Sequence, residues 1–404
     1  MLVQFKVKNF RSFGEETTFS MVAAEENPLA ELGEEYQHPS HLLGTPDEKV
    51  KLVRGGSIFG PNASGKSNAV KVLDFLKLLI SNDFNAEAGV VFRNEHFKKD
   101  KSNTICLEFD FLLEEQLYYN FIVEIQNDAI ILEELTLNDD KLYTRSLSDF
   151  VFHERLLKKN SGVKDGVANW TPDNQLFLRE ANVKKVKGLE RLYHFIRKQI
   201  FYLDASRDFS SLLPLLHDNE ALRKFVVDGL KHSDFGLSQL RIDKTQVENT
   251  PFPKEAFLEN FESFDENSIP GVRRFATPFH DTGEGYLYED GDFYKLKGYF
   301  THGVGDAAFS LSIPDESMGS KSFSSLLAHL YLAIHSKGII VIDELDLSIH
   351  TLLAKHFIQK FFEQNSGQLI FNSHDTNLLS FELFRPDELW FAEKDWAANT
   401  HLNS

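Results

Sequence analysis

Residues 2–10 alternate apolar Val3, Phe5 and Val7 with polar neighbours, the period-two pattern of a half-buried strand. Phe10-Arg11-Ser12-Phe13-Gly14 then turns the chain, and 17–22 reads as a second strand. Residues 24–50 hold Pro28, Gly33, Pro39, Gly44 and Pro46 among many acids and read as a surface loop. An apolar and glycine run over 53–59 suits a buried strand, and Val70, Leu73, Leu76 and Ile80 recur at helical spacing within 68–80. Segments 103–113, 116–126 and 129–137 follow as antiparallel strands, with hairpin breaks at Glu114-Glu115 and Asn127-Asp128.

The rhythm changes from about 138 to 300. Short strands at 142–145 and 151–155 and a polar loop at 160–174 give way to helical stripes over 183–199, 212–230 and 253–264. Asn219-Glu220-Ala221-Leu222 marks a helix start. Residues 285–298, with Tyr286, Tyr288, Phe293 and Tyr294, read as a hairpin returning to the first domain. Heptads are not sustained, so a long coiled coil is not expected, and no internal repeat is visible. An α/β pattern then resumes: helix 322–335, buried strand 338–342, helix 351–364, buried strand 368–372, helix 375–384 and a last strand at 387–393. That alternation predicts a parallel sheet with helices on both faces. The expected organisation is one head in two parts, 1–137 and 301–404, interrupted by an inserted β-then-helical domain at 138–300.

Composition narrows the class. A length of 404 residues exceeds one ordinary domain, and a hydrophobic content of 42% permits a large core. The 37 phenylalanines point to aromatic packing. No run approaches ~18 apolar residues, so no membrane span is expected. The first residues enter a strand directly, without the apolar core of a signal peptide. The single Cys106 rules out an internal disulfide framework and fits a reducing compartment, so the cytoplasm is the expected location. The net charge of −18 repels phosphate backbones and disfavours generic nucleic-acid binding. A local basic stripe would override that global repulsion, but the runs Lys98, Lys99, Lys101 and Lys184, Lys185, Lys187 read as solvated surface.

The chemistry concentrates in four places. Gly60-Pro61-Asn62-Ala63-Ser64-Gly65-Lys66-Ser67 reads G-x-x-x-x-G-K-S between a strand and a helix, the context of a phosphate-binding loop. Its backbone N–H groups can wrap a β-phosphate, Lys66 supplies charge to the β- and γ-phosphates, and the Ser67 hydroxyl can ligate Mg²⁺. The strand 338–342 ends in Asp343-Glu344, where Asp343 can hold the water shell of Mg²⁺ and Glu344 can orient or deprotonate the attacking water. Asn372-Ser373-His374-Asp375 ends the next strand, and parallel neighbours would bring His374 to the γ-phosphate. Ser317-Met318-Gly319-Ser320 at a helix start is either an anion site or a simple helix cap. Elsewhere no acidic cluster has two-metal spacing and no Cys/His set suits zinc.

In this order, with Asp346-Leu347-Ser348-Ile349-His350 between the last two strands, the segments resemble an ABC-type ATPase head of the RecF/SMC/OLD branch. The opening Phe5-Lys6-Val7-Lys8-Asn9-Phe10-Arg11-Ser12-Phe13-Gly14 and the loop Gly60 to Ser67 followed by Asn68 resemble the stand-alone RloA or AbiL-type abortive-infection ATP-binding proteins. The resemblance implies an α/β P-loop head, a mixed sheet with an antiparallel subdomain, and a head-to-tail homodimer sandwiching two ATP molecules with Mg²⁺. It implies that Lys66, Ser67, Asn68, Asp343, Glu344 and His374 act on the nucleotide of their own protomer. Ser317, Gly319 and Ser320 would reach the nucleotide of the other, and Asp346 would cross the interface. The signature departs from L-S-G-G-Q, and no Gln stands where a Q-loop belongs; Phe92-Arg93-Asn94 is the nearest segment and is unassigned. The chain stops at Ser404, soon after the last strand, where relatives often continue.

The leading expectation is therefore an ATPase whose dimer gates a separately encoded effector, such as a nuclease or toxin, in anti-phage defence, with a phage-derived trigger. The alternatives are a RecF/SMC-like DNA-repair ATPase and a nucleotide-dependent scaffold that does not hydrolyse. Nucleic acid as a partner is left open, and a membrane is not expected.

Overall fold

The computed structural model describes residues 1–25, 27, 31, 33, 38–44, 51–81, 95–98, 103–114, 116–127, 129–158, 160, 166, 171–203, 209–231, 233, 236–248, 283–289, 292–347, 349–364 and 367–404. The helix expected at 253–264, the segment Phe92-Arg93-Asn94, most of the loops 24–50 and 160–174, Lys99, Lys101 and Ser348 lie outside the described residues. The chain divides into two compact units. The first comprises Met1–Leu203, Ala333–Glu344 and Gln359–Ser404; the second comprises Asp204–Leu332 and Leu345–Ile358.

The first unit opens with β1 (Leu2–Lys8) and β2 (Thr17–Ser20), followed by a short pair, β3 (Leu42–Gly44) and β4 (Lys51–Val53), and by β5 (Gly55–Phe59). The helix Lys66–Ser81 precedes a meander of β6 (Thr104–Leu113), β7 (Leu117–Gln126), β8 (Ala129–Leu137), β9 (Asp140–Ser146) and β10 (Asp149–Phe152). These strands form a seven-stranded antiparallel sheet in the order β10-β9-β8-β7-β6-β1-β2. Helices Phe177–Val183 and Glu190–Gln199 lead to β11 (Ile200–Leu203).

The second unit holds helices Leu213–Asp218 and Glu220–Lys231, then β12 (Leu237–Val247), β13 (Glu284–Glu289), β14 (Asp292–His302) and β15 (Phe309–Ser312). These strands make a four-stranded antiparallel sheet in which β14 is central. Gly298 and Gly285 let helix Leu213–Asp218 and Ile313 close on this sheet: a Cβ on Gly298 would meet Ile313 at 2.2 Å, and one on Gly285 would meet Leu213 at 3.1 Å. The helix Met318–Ser336 begins in this unit, where Leu327 lies against Gly229 and Tyr331 tilts on Phe225 at 5.5 Å.

The chain returns to the first unit with β16 (Ile339–Ile342), and after the helix Thr351–Glu363 come β17 (Gln368–Asn372), β18 (Leu389–Lys394) and β19 (Thr400–Asn403). A second, six-stranded sheet runs β11-β16-β17-β5-β18-β19, parallel as far as β18 with β19 antiparallel at its edge. β5, β16 and β17 are buried at every position, which is why apolar residues and glycine dominate them without an alternating pattern. The chain is thus a mixed α/β protein, with a largely parallel sheet and an antiparallel sheet in its first unit.

Phenylalanine fills the first unit's core as the composition suggested. Phe5 stacks on Phe19 at 5.2 Å, Phe19 meets Trp390 at 5.0 Å, and Phe10 meets Phe75 at 5.2 Å. The phosphate-loop strand is fixed at its start by a buried Glu388, which accepts the Gly55 N–H at 2.9 Å and contacts His41 Nδ1 at 2.7 Å. Beside it the fully buried Arg54 donates to the carbonyls of Ser40, Phe361, Phe362 and Gly367, and burial pulls its guanidinium down to about 10. The cation suits the carbonyl end of helix Thr351–Glu363.

Several expectations need correction. Residues 375–384 form no α-helix: a 3-10 turn at Thr376–Leu378 is followed by a separate turn at 381–383, because Asp375 accepts the Asn377 N–H and Ser380 the Glu382 N–H. Such local side-chain bonds compete with helix formation. The stripe at 212–230 breaks at Asn219, whose side chain caps Leu222 at 2.9 Å, and the stripe at 183–199 is helical only from Glu190. Residues 151–155 split into the end of β10 and a short helix, Glu154–Leu157. The sequence pattern does not announce strands β3, β4, β11, β12, β15 and β19. No helix among the described residues is long and apolar enough to cross a membrane.

Candidate functional site

The loop between β5 and helix Lys66–Ser81 owes its shape to three residues in the left-handed region: Gly60 (φ 150°), Ala63 (φ 63°) and Gly65 (φ 105°). Glycine is required twice over at the outer two. A Cβ on Gly60 would lie 2.3 Å from the Ala392 carbonyl oxygen, and one on Gly65 would lie 2.1 Å from Thr400 Oγ1. The helix starts by Asn68 and Ala69 donating to the Gly65 carbonyl, and no acidic residue lies in its first turn. Its positive end is therefore left available to an anion. Lys66 is buried, and its ammonium donates to the Gly60 and Pro61 carbonyls at 2.7 and 2.8 Å. Ser64 Oγ is buried without a hydrogen-bond partner among the described residues, inside the loop that would hold phosphate.

Asn372, fully buried at the end of β17, joins the other parts. Its side-chain amide donates to Asp343 Oδ1 at 2.8 Å and to Ser67 Oγ at 3.2 Å, and its oxygen accepts the Glu344 N–H. One amide thus sets the spacing between the helix hydroxyl and the strand carboxylate. The other Asp343 oxygen accepts from the Tyr202 hydroxyl at 3.3 Å and lies 3.5 Å from Lys71 Nζ. Glu344 adopts φ 62°, a strained conformation for a non-glycine residue, and its Oε1 lies 3.9 Å from His374 Nε2. Both side chains are about one-third exposed, at 34% each, so both remain open to a ligand and to water.

A divalent cation of the Mg²⁺ type fits this donor set. Ser67 and Asp343 offer hard oxygen ligands, and such an ion fills its shell from water and phosphate instead of a protein cage.

The structure therefore brings Gly60, Pro61, Asn62, Ala63, Ser64, Gly65, Lys66, Ser67 and Asn68 together with Asp343, Glu344 and His374 in the first unit. Ser317, Gly319, Ser320 and Asp346 lie in the second. There Ser317 caps helix Met318–Ser336: its Oγ accepts the Ser320 N–H at 3.0 Å and shares a hydrogen bond with Ser320 Oγ at 2.8 Å. The preceding Glu316 is buried against His302 Nε2 at 2.6 Å. Asp346 is half-buried, in a turn beside the exposed Leu347.

Sequence reasoning missed four supporting residues. For Asn372 the signal is its place as a polar residue closing the apolar stretch Leu369 to Phe371. Tyr202 and Lys71 gave no signal. Thr400, on the unanticipated β19, donates to the Ser64 carbonyl at 2.8 Å and contacts Ser12 Oγ at 2.8 Å. Ser12 also receives Asn68 Nδ2 at 2.8 Å, so the turn after β1 braces the loop from below.

A family model described as "AAA domain, putative AbiEii toxin, Type IV TA system" matches residues 57–380. No curated protein matches the chain by sequence. Among solved structures the chain is similar to a Smc head bound to the C-winged helix domain of ScpA (11% identity, covering 100% of this chain and 97% of that one, TM-score 0.45). It is also similar to the SMC head domain of Thermotoga maritima (12% identity, 100% and 98% covered, TM-score 0.41). A third is the Pyrococcus furiosus Smc head with an extended coiled coil, bound to the C-terminal domain of ScpA (12% identity, 100% and 95% covered, TM-score 0.46).

Proposed function

We infer, because this chain belongs to the AAA-domain family whose model it matches over residues 57–380, that it is an ATPase of the SMC/RecF class that binds ATP with Mg²⁺ and hydrolyses it. The observation that carries the reading is the Asn372 amide, which ties Ser67, Asp343 and the Glu344 backbone into one unit. Such an arrangement has no purpose in a glycine turn that binds nothing. The phosphate loop, Lys66 and the helix end would hold the polyphosphate, and Ser67 and Asp343 would hold the cation, which supplies charge neutralisation as the terminal phosphate leaves. Glu344 would take the proton of the attacking water, and His374 would hydrogen-bond the terminal phosphate. Phosphate release by the purified chain tests this. Lys66→Ala should lose nucleotide binding, and Glu344→Gln should retain ATP but lose turnover. A wild-type chain that binds ATP with Mg²⁺ and never turns it over would leave only a nucleotide-dependent scaffold.

The finer proposal is a head-to-tail homodimer in which Ser317, Gly319 and Ser320 of one protomer complete the other's site, with Asp346 at the interface. Resemblance to ABC-type heads supports it, and so does the exposure of Ser317 and Met318 at the start of their helix. The biological setting proposed is anti-phage defence of the RloA or AbiL type, with ATP-driven closure gating a separately encoded effector. The family description, which names a toxin of a type IV toxin–antitoxin system, supports that setting. Plaque counts on cells carrying the gene in its native neighbourhood test it. Protection unchanged by Glu344→Gln, with hydrolysis abolished, would discard gating by hydrolysis.

A further inference from the structure

Trp396 is 105% exposed, more than any other large apolar side chain among the described residues. Isolated apolar residues on a surface are ordinary; the frame around this one is not. It stands in the tip joining β18 to β19, and that tip is locked by hydrogen bonds. The Asp395 carboxylate accepts the Asn399 N–H at 2.8 Å and the Asn399 amide at 3.0 Å, and contacts His401 Nε2 at 3.3 Å. The backbones of Asp395 and Asn399 also pair at 3.0 Å, and Ala398 takes a left-handed φ of 68° to close the turn. Within this rigid frame the indole makes no ring contact or hydrogen bond among the described residues.

The strands carrying the tip are the ones that shape the phosphate loop. Ala392 on β18 sits against Gly60, and Thr400 on β19 sits against Gly65 and bonds the Ser64 carbonyl. Asn399 also closes on Gly14, at the turn after β1 that braces the same loop. β18 runs parallel to β5 with Phe391 opposite Phe59, so the tip extends past the same sheet edge that carries the loop. Lys394 and Thr400 are the last pair of the hairpin, and Trp396 follows two residues later. At ~3.3–3.6 Å per residue, it lies within about 7 Å of chain from Lys394, whose cross-strand partner Thr400 sits against Gly65.

We propose that Trp396 is the stacking platform for the base of the nucleotide whose phosphates the loop holds, so that the site takes a nucleoside triphosphate in preference to bare polyphosphate. The proposal rests on the ATP-binding reading above. A flat indole with both faces in water gains most from a flat partner, and stacking of a base on an aromatic side chain changes affinity by about 5- to 150-fold. The hydrogen-bonded tip means that the backbone carrying the indole needs little ordering on binding.

The test measures Mg²⁺-dependent binding of ATP and of inorganic tripolyphosphate to the full chain, wild type, Trp396→Ala and Trp396→Phe, with light scattering to read the oligomeric state of each. Trp396→Ala should weaken ATP about 5- to 150-fold and leave tripolyphosphate within about twofold. Trp396→Phe should recover most of the ATP affinity. Equal losses for both ligands, or no loss for ATP, would overturn the proposal. So would a loss that follows dimer dissociation, which would make Trp396 a contact between copies of the chain. If the wild type binds neither ligand, the ATP-binding reading itself falls; if it binds both equally, only the stacking role does.

Discussion

Replacing Asn372 by Ala should damage stability and turnover together. The bond from its amide to Asp343 at 2.8 Å is buried and charge-assisted, a class that contributes about 1.5–3 kcal/mol. The bond accepted from the Glu344 N–H is a buried backbone pair near 1 kcal/mol, and the 3.2 Å bond to Ser67 adds about 0.5 kcal/mol. Together these predict a loss of about 3–4.5 kcal/mol. At about 2–4 °C per kcal/mol for a unit of this size, the melting midpoint of the first unit should fall by roughly 6–18 °C. Asn372→Asp separates packing from bonding, since it keeps the volume but sets a second carboxylate beside Asp343. Two close carboxylates raise one another's affinity for a proton, so the Asp variant should regain stability as pH falls, while the Ala variant should not. Circular-dichroism melts at pH 5.5 and 8, run beside phosphate-release assays, measure both effects. A melting midpoint within 2 °C of wild type together with normal turnover in Asn372→Ala would refute the claim that this amide organises the site.

Gly65→Ala should abolish nucleotide binding, because φ 105° excludes a side chain and the Cβ would meet Thr400 Oγ1 at 2.1 Å; calorimetric titration with ATP reads this directly. Arg145→Met should cost about 3–5 kcal/mol in urea unfolding. It strips the carbonyls of Leu147, Pro172 and Gln175 of their donor and leaves the buried Glu133, whose carboxyl burial raises, without its cation at 3.7 Å. The Asp395 carboxyl is held down to about 2, first by the Asn399 side-chain amide and then by its backbone N–H. A depressed carboxyl stabilises its folded form fully above the ordinary value of 3.8 and loses that contribution as pH falls from there towards 2. The Asn399 amide resonance should accordingly titrate with a midpoint near 2, and a midpoint near 4 would break the assigned bond.

What the sequence disclosed and what it hid separate by the distance over which each constraint acts. Gly60, Gly65, Lys66 and Ser67 were legible because a short loop imposes conformation on consecutive residues: left-handed φ values at two glycines, then a helix whose first turn must carry the cation and the hydroxyl. β16 and β17 were legible because a parallel strand covered on both faces must be apolar throughout, which leaves Asp343 and Asn372 conspicuous at their ends. Thr400 and Ser12 were not. They lie 388 positions apart yet share a hydrogen bond beneath the loop, and nothing local in either neighbourhood demands the other. β12 escaped for a related reason: its sequence Leu237–Val247 alternates only weakly, and its strand character comes from pairing along β14.

The same division explains why the end of the chain was read as a minor last strand. Residues 387–393 read as a last short strand, and 400–403 are too few and too polar to announce one. In the folded chain they form a hairpin whose two arms close on both glycines of the phosphate loop. The glycines are therefore doubly determined, by backbone torsion and by the approach of Ala392 and Thr400, and only the first determinant is written in their own neighbourhood. A motif search recovers the loop but not the wall behind it. That wall also carries Trp396, so the residue proposed to read the base belongs to the part of the site that local sequence could not reveal.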